Sequence, residues 1–210
     1  MALVEFARLL PSRLADAENR APFDGGLYLF KQFYPATEAD VLYTSLLAEL
    51  DWQEESLFIY GRWLKVPRLM AWYGDPEACY RYSGRDHLPM PWHPALLTVK
   101  NNLEQYCDSR FNSVLANLYR NGNDSMGCHA DDEKELGPQP LIASLSLGAE
   151  RLFKLRHKKR GVGLDIKLAH GDLVVMAGVL QQHWQHSVPK TKKLTAPRIN
   201  LTFRQIVAKA

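Results

Sequence analysis

The chain is short of the features that announce many function classes. It has only three cysteines in 210 residues, Cys79, Cys107 and Cys128, and no CxxC spacing. So scattered and odd a set argues against a disulfide framework or a cysteine zinc cluster, and points to a reducing compartment. The net charge is only +3, so affinity for an anionic partner has to come from local clustering. The longest apolar run, LVVMAGVL at 173–180, is far too short to span a bilayer. Internal repeats and low-complexity tracts are absent. The opening MALVEFARLLPSRLADAENR is broken by Glu5, Arg8, Pro11 and Arg13 and lacks the apolar core of a signal peptide. The expectation is an intracellular protein with no membrane partner, cytoplasmic, or nuclear if the source is eukaryotic.

What is present is ordinary globular composition, 46% hydrophobic and 23% charged, at a length that fits one domain. Residues 1–25 read as an N-terminal lead-in and 26–210 as a single domain. A strand is expected in GGLYLFKQF (25–33). A helix is expected in TEADVLYTSLLAEL (37–50), capped by Thr37 with Asp40 at the box position and apolar at 41, 42, 46, 47 and 50. A second helix is expected in HPALLTVKNNLEQYC (93–107). Residues 57–92 carry aromatics, Pro and Gly with short strand-like pieces. From 112 onward SVLANLYRNG, LIASLSLG, RLFKLRH, GLDIKLAH, GDLVVMAG and PRINLTFRQI are short strands with Gly punctuation. RHKKRGVGLDIKL reads as a hairpin. The pattern is mostly β with few helices, a sandwich or open barrel with helices behind one face.

Chemistry concentrates in CHADDEKELG (128–137), where His129 and Asp131 stand two apart and Asp132 and Glu133 follow at once. On extended backbone two such residues project to the same side. They could supply two ligands of a two-histidine, one-carboxylate facial triad, a geometry that leaves open positions and suits non-haem Fe(II). A distal histidine is then needed. HWQHSVP offers His183 and His186, and His186, just before a strand end, is preferred. In RINLTFR, Arg198, Asn200, Thr202 and Arg204 share one face and Ile199, Leu201 and Phe203 the other. The polar face either lies in water or lines a cavity for an anion, and a planar guanidinium fork suits the carboxylate of a 2-oxo acid.

VPR…YGD…YRYSG, NLYRNGNDSMGCHADDEKEL, HWQHSVP and APRINLTFR together resemble the AlkB family of Fe(II)/2-oxoglutarate-dependent dealkylases, and look closest to its double-strand-preferring branch. The resemblance covers about residues 57–206. It implies an α+β, mostly β fold: a double-stranded β-helix, or jelly roll, with supporting helices and a nucleotide-recognition lid at 57–92. It implies Fe(II) held by His129, Asp131 and His186, with O2 and 2-oxoglutarate as co-substrates. Asn117, Tyr119, Arg198, Thr202 and Arg204 would meet 2-oxoglutarate, Arg204 at its distal carboxylate. Tyr80, Tyr82 and Ser83 match the segment lining the nucleobase pocket, and Asp132 and Glu133 the acidic pair beside it. Tyr60 and Gly61 match a finger that fills the gap left by a flipped base. A basic triplet expected after the distal histidine reads Thr191-Lys192-Lys193 here.

The implied activity is oxidative demethylation of bases such as 1-methyladenine and 3-methylcytosine in DNA, releasing formaldehyde. Such bases are cationic, which gives Asp132 and Glu133 a purpose. Duplex DNA is the expected partner, with single strands possible, and the protein is expected to be a monomer. The basic run KLRHKKRG (154–161), with Arg62, Lys65 and Arg68, is expected to track phosphates. Competing readings are an RNA demethylase or protein hydroxylase on the same scaffold, and a silent binder of damaged DNA. A zinc hydrolase would use His/Asp ligands too, but gives the polar face of 198–204 no role.

Overall fold

The computed structural model describes residues 14, 16–59, 61–78, 80–82, 85–193 and 196–207, with backbone alone at 57–59, 80–82 and 85–87. Thirteen strands are described: β1 (Gly26–Phe30), β2 (Gln53–Ile59), β3 (Arg62–Gly74), β4 (Tyr80–Tyr82), β5 (Arg85–His87), β6 (Ser113–Tyr119), β7 (Met126–His129), β8 (Ile142–Gly148), β9 (Arg151–His157), β10 (Gly163–Leu168), β11 (Leu173–Ala177), β12 (Trp184–Val188) and β13 (Arg198–Arg204). The helices are α1 (Ala36–Glu49), α2 (Pro94–Cys107) and the one-turn α3 (Leu180–His183).

The strands form a seven-stranded sheet, β1-β11-β8-β13-β6-β3-β2, a four-stranded sheet, β10-β9-β12-β7, and the β4-β5 pair. Ladder pairing is antiparallel throughout, including the predicted β9–β10 hairpin. The larger sheet buries one face against α1 and α2. There Ala39 and Leu46 from α1 and Leu96, Val99, Leu103 and Cys107 from α2 meet Val114, Ala116, Leu145, Ile199, Leu201 and Phe203. Burial at this rate removes large apolar areas from water and carries most of the stability. The other face meets the smaller sheet, where Tyr119, Ile142 and Met176 pack on Phe153, Leu155, Trp184 and Val188. This is a jelly roll with two helices behind its larger sheet.

Three local expectations change. Helix α1 begins at Ala36 behind Pro35, with no side-chain cap bond, so Thr37 does not cap it; proline already fixes the entry φ. Val41 is 70% exposed, because the inward stripe runs through Ala39, Leu42, Leu46 and Leu50 and position 41 falls off it. The segment after residue 60 contains one long strand, β3, where only short pieces were expected. Helix α2 is capped as a helix should be: His93 Nδ1 accepts from the Ala95 N–H at 3.2 Å, and Pro94 opens the first turn.

The described part of the lead-in is tied down. Asn19 Oδ1 accepts from the N–H groups of Ala21 and Leu27 at 3.0 and 2.9 Å, and Leu14 is fully buried.

One tight turn fixes how α1 meets the sheet. Gly171, before β11, has φ +80°, its carbonyl accepts from the Tyr34 N–H, and a Cβ there would collide with the Tyr34 carbonyl oxygen. Gly171→Ala adds both a left-handed penalty and a backbone clash. It should lower the unfolding free energy by about 2 kcal/mol or more, read from the urea midpoint. An unchanged midpoint would show that this contact relaxes freely.

Candidate active site

The site lies between the sheets. β7 and β12 are paired so that His129 and His186 face each other directly in register, with ring centroids 4.3 Å apart. The next partners are Met126 and Val188, so Gly127 and Cys128 together oppose Ser187. That extra residue is a β-bulge, a device that re-aims neighbouring side chains. The Gly127 carbonyl in it lies 2.9 Å from His129 Nδ1. A carbonyl only accepts, so Nδ1 carries the hydrogen, and in the neutral ring Nε2 is the nitrogen that offers a lone pair.

Asp131 follows two residues after His129, 2% exposed. Its Oδ1 is 3.5 Å from His129 Nε2, and its Oδ2 accepts from Arg204 Nη2 at 2.9 Å. One ligand atom each from His129, Asp131 and His186 falls within 4.8 Å of the others. Burial opposes the charge on Asp131, but Arg204 and then His129 and His186 hold its carboxyl well below the usual carboxylate range. Burial, more than the neighbouring Asp131 can offset, lowers His186 to about 4. For His129 burial also pulls down, and the hydrogen bond and charge of Asp131 outweigh it. An ionised carboxylate beside a neutral, buried imidazole is the protonation state a divalent cation requires.

A second cluster, Asp24, His157 and His183, is as compact, but its hydrogen bonds exclude it. His157 Nδ1 accepts from the N–H groups of Lys159 and Arg160 at 3.1 and 3.0 Å. Its lone pair is therefore used, and Nε2 carries the hydrogen that it donates to Asp24 at 3.0 Å. Arg160 Nε shares the same carboxylate at 3.2 Å. That arrangement staples the β9–β10 hairpin to the lead-in and leaves neither nitrogen of His157 for a metal. His183 belongs to this cluster, whereas His186 stands opposite His129.

The floor of the site is the polar face of the larger sheet. Pairing sets Asn200 of β13 between Asn117 of β6 and Ser146 of β8, and Thr202 beside Ser144. Arg198 is 1% exposed. Its Nη2 donates to Ser146 Oγ and Asn200 Oδ1, both at 2.8 Å, while Nε and Nη1 are buried without hydrogen-bond partners. Burial pulls this guanidinium down to about 10. Arg151 and Arg198 lie 5.3 and 5.2 Å from the Tyr119 ring, so two cations converge there. Buried charges of one sign with unfilled donors fit an anion. The polar face of RINLTFR is thus turned into the protein, not into water.

The triad and Asn117, Tyr119, Arg198, Thr202 and Arg204 all border this one interior region. Arg204, however, sits at the metal end against Asp131, while Arg198 lies at the other end of β13. Asp132 is exposed, and its Oδ2 meets Lys158 Nζ at 3.2 Å. Glu133 is half-buried and precedes the 3-10 turn Lys134–Leu136. Tyr60 and Ser83 lie outside the described residues. Tyr80 and Tyr82 lie on β4, opposite His87 and Arg85, with their side chains outside the description. Ile59 of β2 pairs with Arg62 of β3. Gly61, just before Arg62, has φ +75°, a conformation that glycine adopts at little cost.

Sequence reading missed four contributors. Ser144 and Ser146 were legible in the alternation of LIASLSLG. Gln181 was not: it is 2% exposed, and its Oε1 accepts from the Asp131 N–H at 3.0 Å, which ties the carboxylate ligand to the turn before β12. Arg68 was grouped with the charges expected to track phosphates, yet it is 9% exposed.

Comparison with known proteins adds the following. The sequence profile described as the 2OG-Fe(II) oxygenase superfamily matches residues 26–204. The human alpha-ketoglutarate-dependent dioxygenase alkB homolog 3 is 42% identical over 188 residues, covering 85% of this chain and 65% of its own. The human DNA oxidative demethylase ALKBH2 is 40% identical over 181 residues, covering 81% and 69%. An Arabidopsis thaliana protein of the latter name is 31% identical over 238 residues. The chain spans just under two thirds, 64%, of the bovine alkB homolog 3. Among solved structures, a Pseudomonas putida prolyl-4-hydroxylase superposes with TM-score 0.58 at 19% identity, covering 86% of this chain and 93% of its own. An oxidoreductase of the 2OG-Fe(II) oxygenase family from Burkholderia pseudomallei gives 0.57 at 14%, covering 87% of each. These structures speak for the fold alone.

The Gln181 contact predicts a metal phenotype. Gln181→Leu removes the acceptor on the Asp131 amide and should weaken Co(II) binding by about 10- to 100-fold, read by titrating the visible cobalt absorption. An affinity equal to that of the unaltered protein would reduce Gln181 to a packing residue.

Proposed function

We propose, for a chain that belongs to the 2OG-Fe(II) oxygenase superfamily and to its AlkB family, that it repairs DNA by oxidative demethylation of N-alkylated bases. The observation that carries this is the placement of two half-sites in one interior region: the His129, Asp131, His186 cluster, and a buried Arg198 guanidinium with two unfilled donors. One fits Fe(II), the other a carboxylate, and they lie at the two ends of one polar floor. The relatives named DNA oxidative demethylase supply the substrate class.

His129, Asp131 and His186 would hold Fe(II). When bound with O2, it supplies the oxidation that turns 2-oxoglutarate into succinate and carbon dioxide and an N-methyl into an N-hydroxymethyl, which leaves as formaldehyde. The chain's own residues bind and orient. Arg204 is fixed to Asp131, so it addresses the end of 2-oxoglutarate nearest the metal. Arg198, with Tyr119, Ser146 and Asn200 around it, takes the distal carboxylate. This exchanges the role first expected of Arg204. Asn117 and Thr202 line the span between. The interior position excludes water, which strengthens each of these contacts.

Asp132 and Glu133, next along the chain from the ligand Asp131, favour a cationic damaged base over its neutral parent. Lys158 occupies Asp132 in the free protein and is the cation the damaged base displaces. Tyr80, Tyr82 and Ser83 line the base pocket. The basic hairpin 154–161, with Lys192 and Lys193, tracks phosphates. Thr191, where a basic residue was expected, accepts from the Lys193 N–H through its Oγ1 at 3.3 Å. The protein works as a monomer inside the cell on duplex DNA. Among the described residues no helix is long and apolar enough to cross a membrane.

Incubation with Fe(II), 2-oxoglutarate and oligonucleotides carrying 1-methyladenine or 3-methylcytosine should give a loss of one methylene mass with equimolar succinate and formaldehyde. Succinate without a mass change in any oligonucleotide would move the substrate to RNA or protein. No succinate at all would leave a silent DNA binder.

The finger assignment has its own test. If Tyr60 fills the gap behind a flipped base, Tyr60→Ala should slow repair of a duplex lesion by about 5- to 150-fold, the worth of one base–aromatic stack. The same lesion in a single strand has no gap and should be repaired at an unchanged rate. Equal loss on both substrates, with a lowered melting temperature, would make Tyr60 structural and remove the case for duplex preference.

A further inference from the structure

The β3 strand changes partners partway along. Leu69 to Gly74 pair with β6 inside the larger sheet, while Arg62 to Lys65 pair only with β2 and form the projecting hairpin. Between them the β2–β3 ladder skips: Glu54 pairs with Leu69 and Ser56 with Lys65, so Val66, Pro67 and Arg68 together oppose Glu55. Pro67 has no N–H to give the ladder, which is why a bulge stands there. Its carbonyl instead accepts from the Ser125 N–H at 2.9 Å. The bulge turns Arg68 inward. Arg68 Nε donates to Asn117 Oδ1 at 2.6 Å, and its Nη1 donates to the Ser125 carbonyl at 3.3 Å.

We infer that Arg68 is a positioning residue of the 2-oxo acid site: it fixes the Asn117 carboxamide and so sets the affinity for the co-substrate. The inference rests on the proposed function, in which Asn117 lines that site. Guanidinium nitrogens only donate, so the atom of Asn117 that meets Arg68 must be the carbonyl oxygen, and the NH2 group is the one presented to the interior. A flipped carboxamide would offer an acceptor to an anion and repel it. Arg68 also reaches the connection that leads into β7, through the Ser125 carbonyl. It therefore joins the root of the hairpin, the co-substrate strand β6 and the approach to the metal strand. A lysine has one nitrogen and cannot hold Asn117 and Ser125 in the same fork geometry.

The experiment is a calorimetric titration of 2-oxoglutarate into the Mn(II)-loaded protein, with a thermal melt of every variant. The Arg68→Gln variant should raise the dissociation constant about 10-fold, and Arg68→Lys should recover part of that loss. In an Asn117→Ala background the Arg68→Gln change should cost nothing further, because Arg68 acts through Asn117. Additive losses would overturn the inference, and so would an unchanged constant for Arg68→Gln. If Arg68→Gln fails to melt cooperatively, Asn117→Asp takes its place. It keeps the bond to Arg68 but presents a carboxylate oxygen inward, and should lose at least as much affinity; normal binding by it would overturn the inference too. An unaltered protein that binds no 2-oxoglutarate would instead refute the proposed function from which the inference starts.

Discussion

The site depends on one register: His129 of β7 opposite His186 of β12. Side chains alternate along a strand, so a slip of one residue would turn one imidazole to the outer face and dissolve the triad. The bulge at Gly127 and Cys128 makes this register possible while β7 still continues toward Asp131. It also puts the Gly127 carbonyl under His129 Nδ1, so the backbone that sets the register also sets the tautomer. A short strand thus delivers position and protonation state together. Asp131 lies beyond the strand's end, where a second anchor is needed, and the buried carboxamide of Gln181 provides it.

The polar interior has an energetic cost that the apolar layer must cover. Arg198 and Arg151 are both almost fully buried, and a buried cation costs several kcal/mol unless it is paired and hydrogen-bonded. Arg151 meets this with carbonyls alone: its nitrogens donate to the carbonyls of Asn121, Asp124 and Pro189. Arg198 does so only in part. The opposite face of the same strand, Ile199, Leu201 and Phe203, is fully buried against the helices. β13 therefore serves as core on one side and binding surface on the other, and the rigidity of the core side holds the binding side in place.

Much of this could be read from residue order. Period-two alternation in RINLTFR separates the two faces correctly, and the HxD spacing with a later histidine finds the triad. Short strands after residue 112 and the helix at 93–107 follow from pattern and punctuation. What could not be read depends on neighbours distant in the chain. Proline replaced threonine as the entry to α1, because the cap is decided by backbone geometry. Arg68 was read with Arg62 and Lys65 as a phosphate contact, since a bulge around Pro67 breaks the alternation that would have pointed it inward. Gln181 carries no motif at all; only the packing of α3 against the Asp131 turn gives it a role. Position along β13, not residue type, distinguishes Arg198 from Arg204.

The two His/His/Asp clusters make the same point in chemical terms. Ligand type and spacing in space are alike in both, and no count of donors separates them. The difference lies in what faces the second nitrogen of each ring. A carbonyl behind His129 holds the hydrogen on Nδ1 and so leaves Nε2 as the lone-pair nitrogen of the neutral ring; two amides behind His157 force its Nε2 to be a donor. The neutral first ring turns a lone pair toward Asp131 and His186, where a cation can take it, and the second is already complete with Asp24. Coordination is therefore decided one bond away from the ligand atoms, by backbone groups whose positions are fixed by a bulge in β7 and by the turn after β9. The same logic governs the floor: Asn117 is oriented by a donor-only partner, and the direction of its dipole, like the tautomer of His129, is set by the backbone bulge that positions the partner.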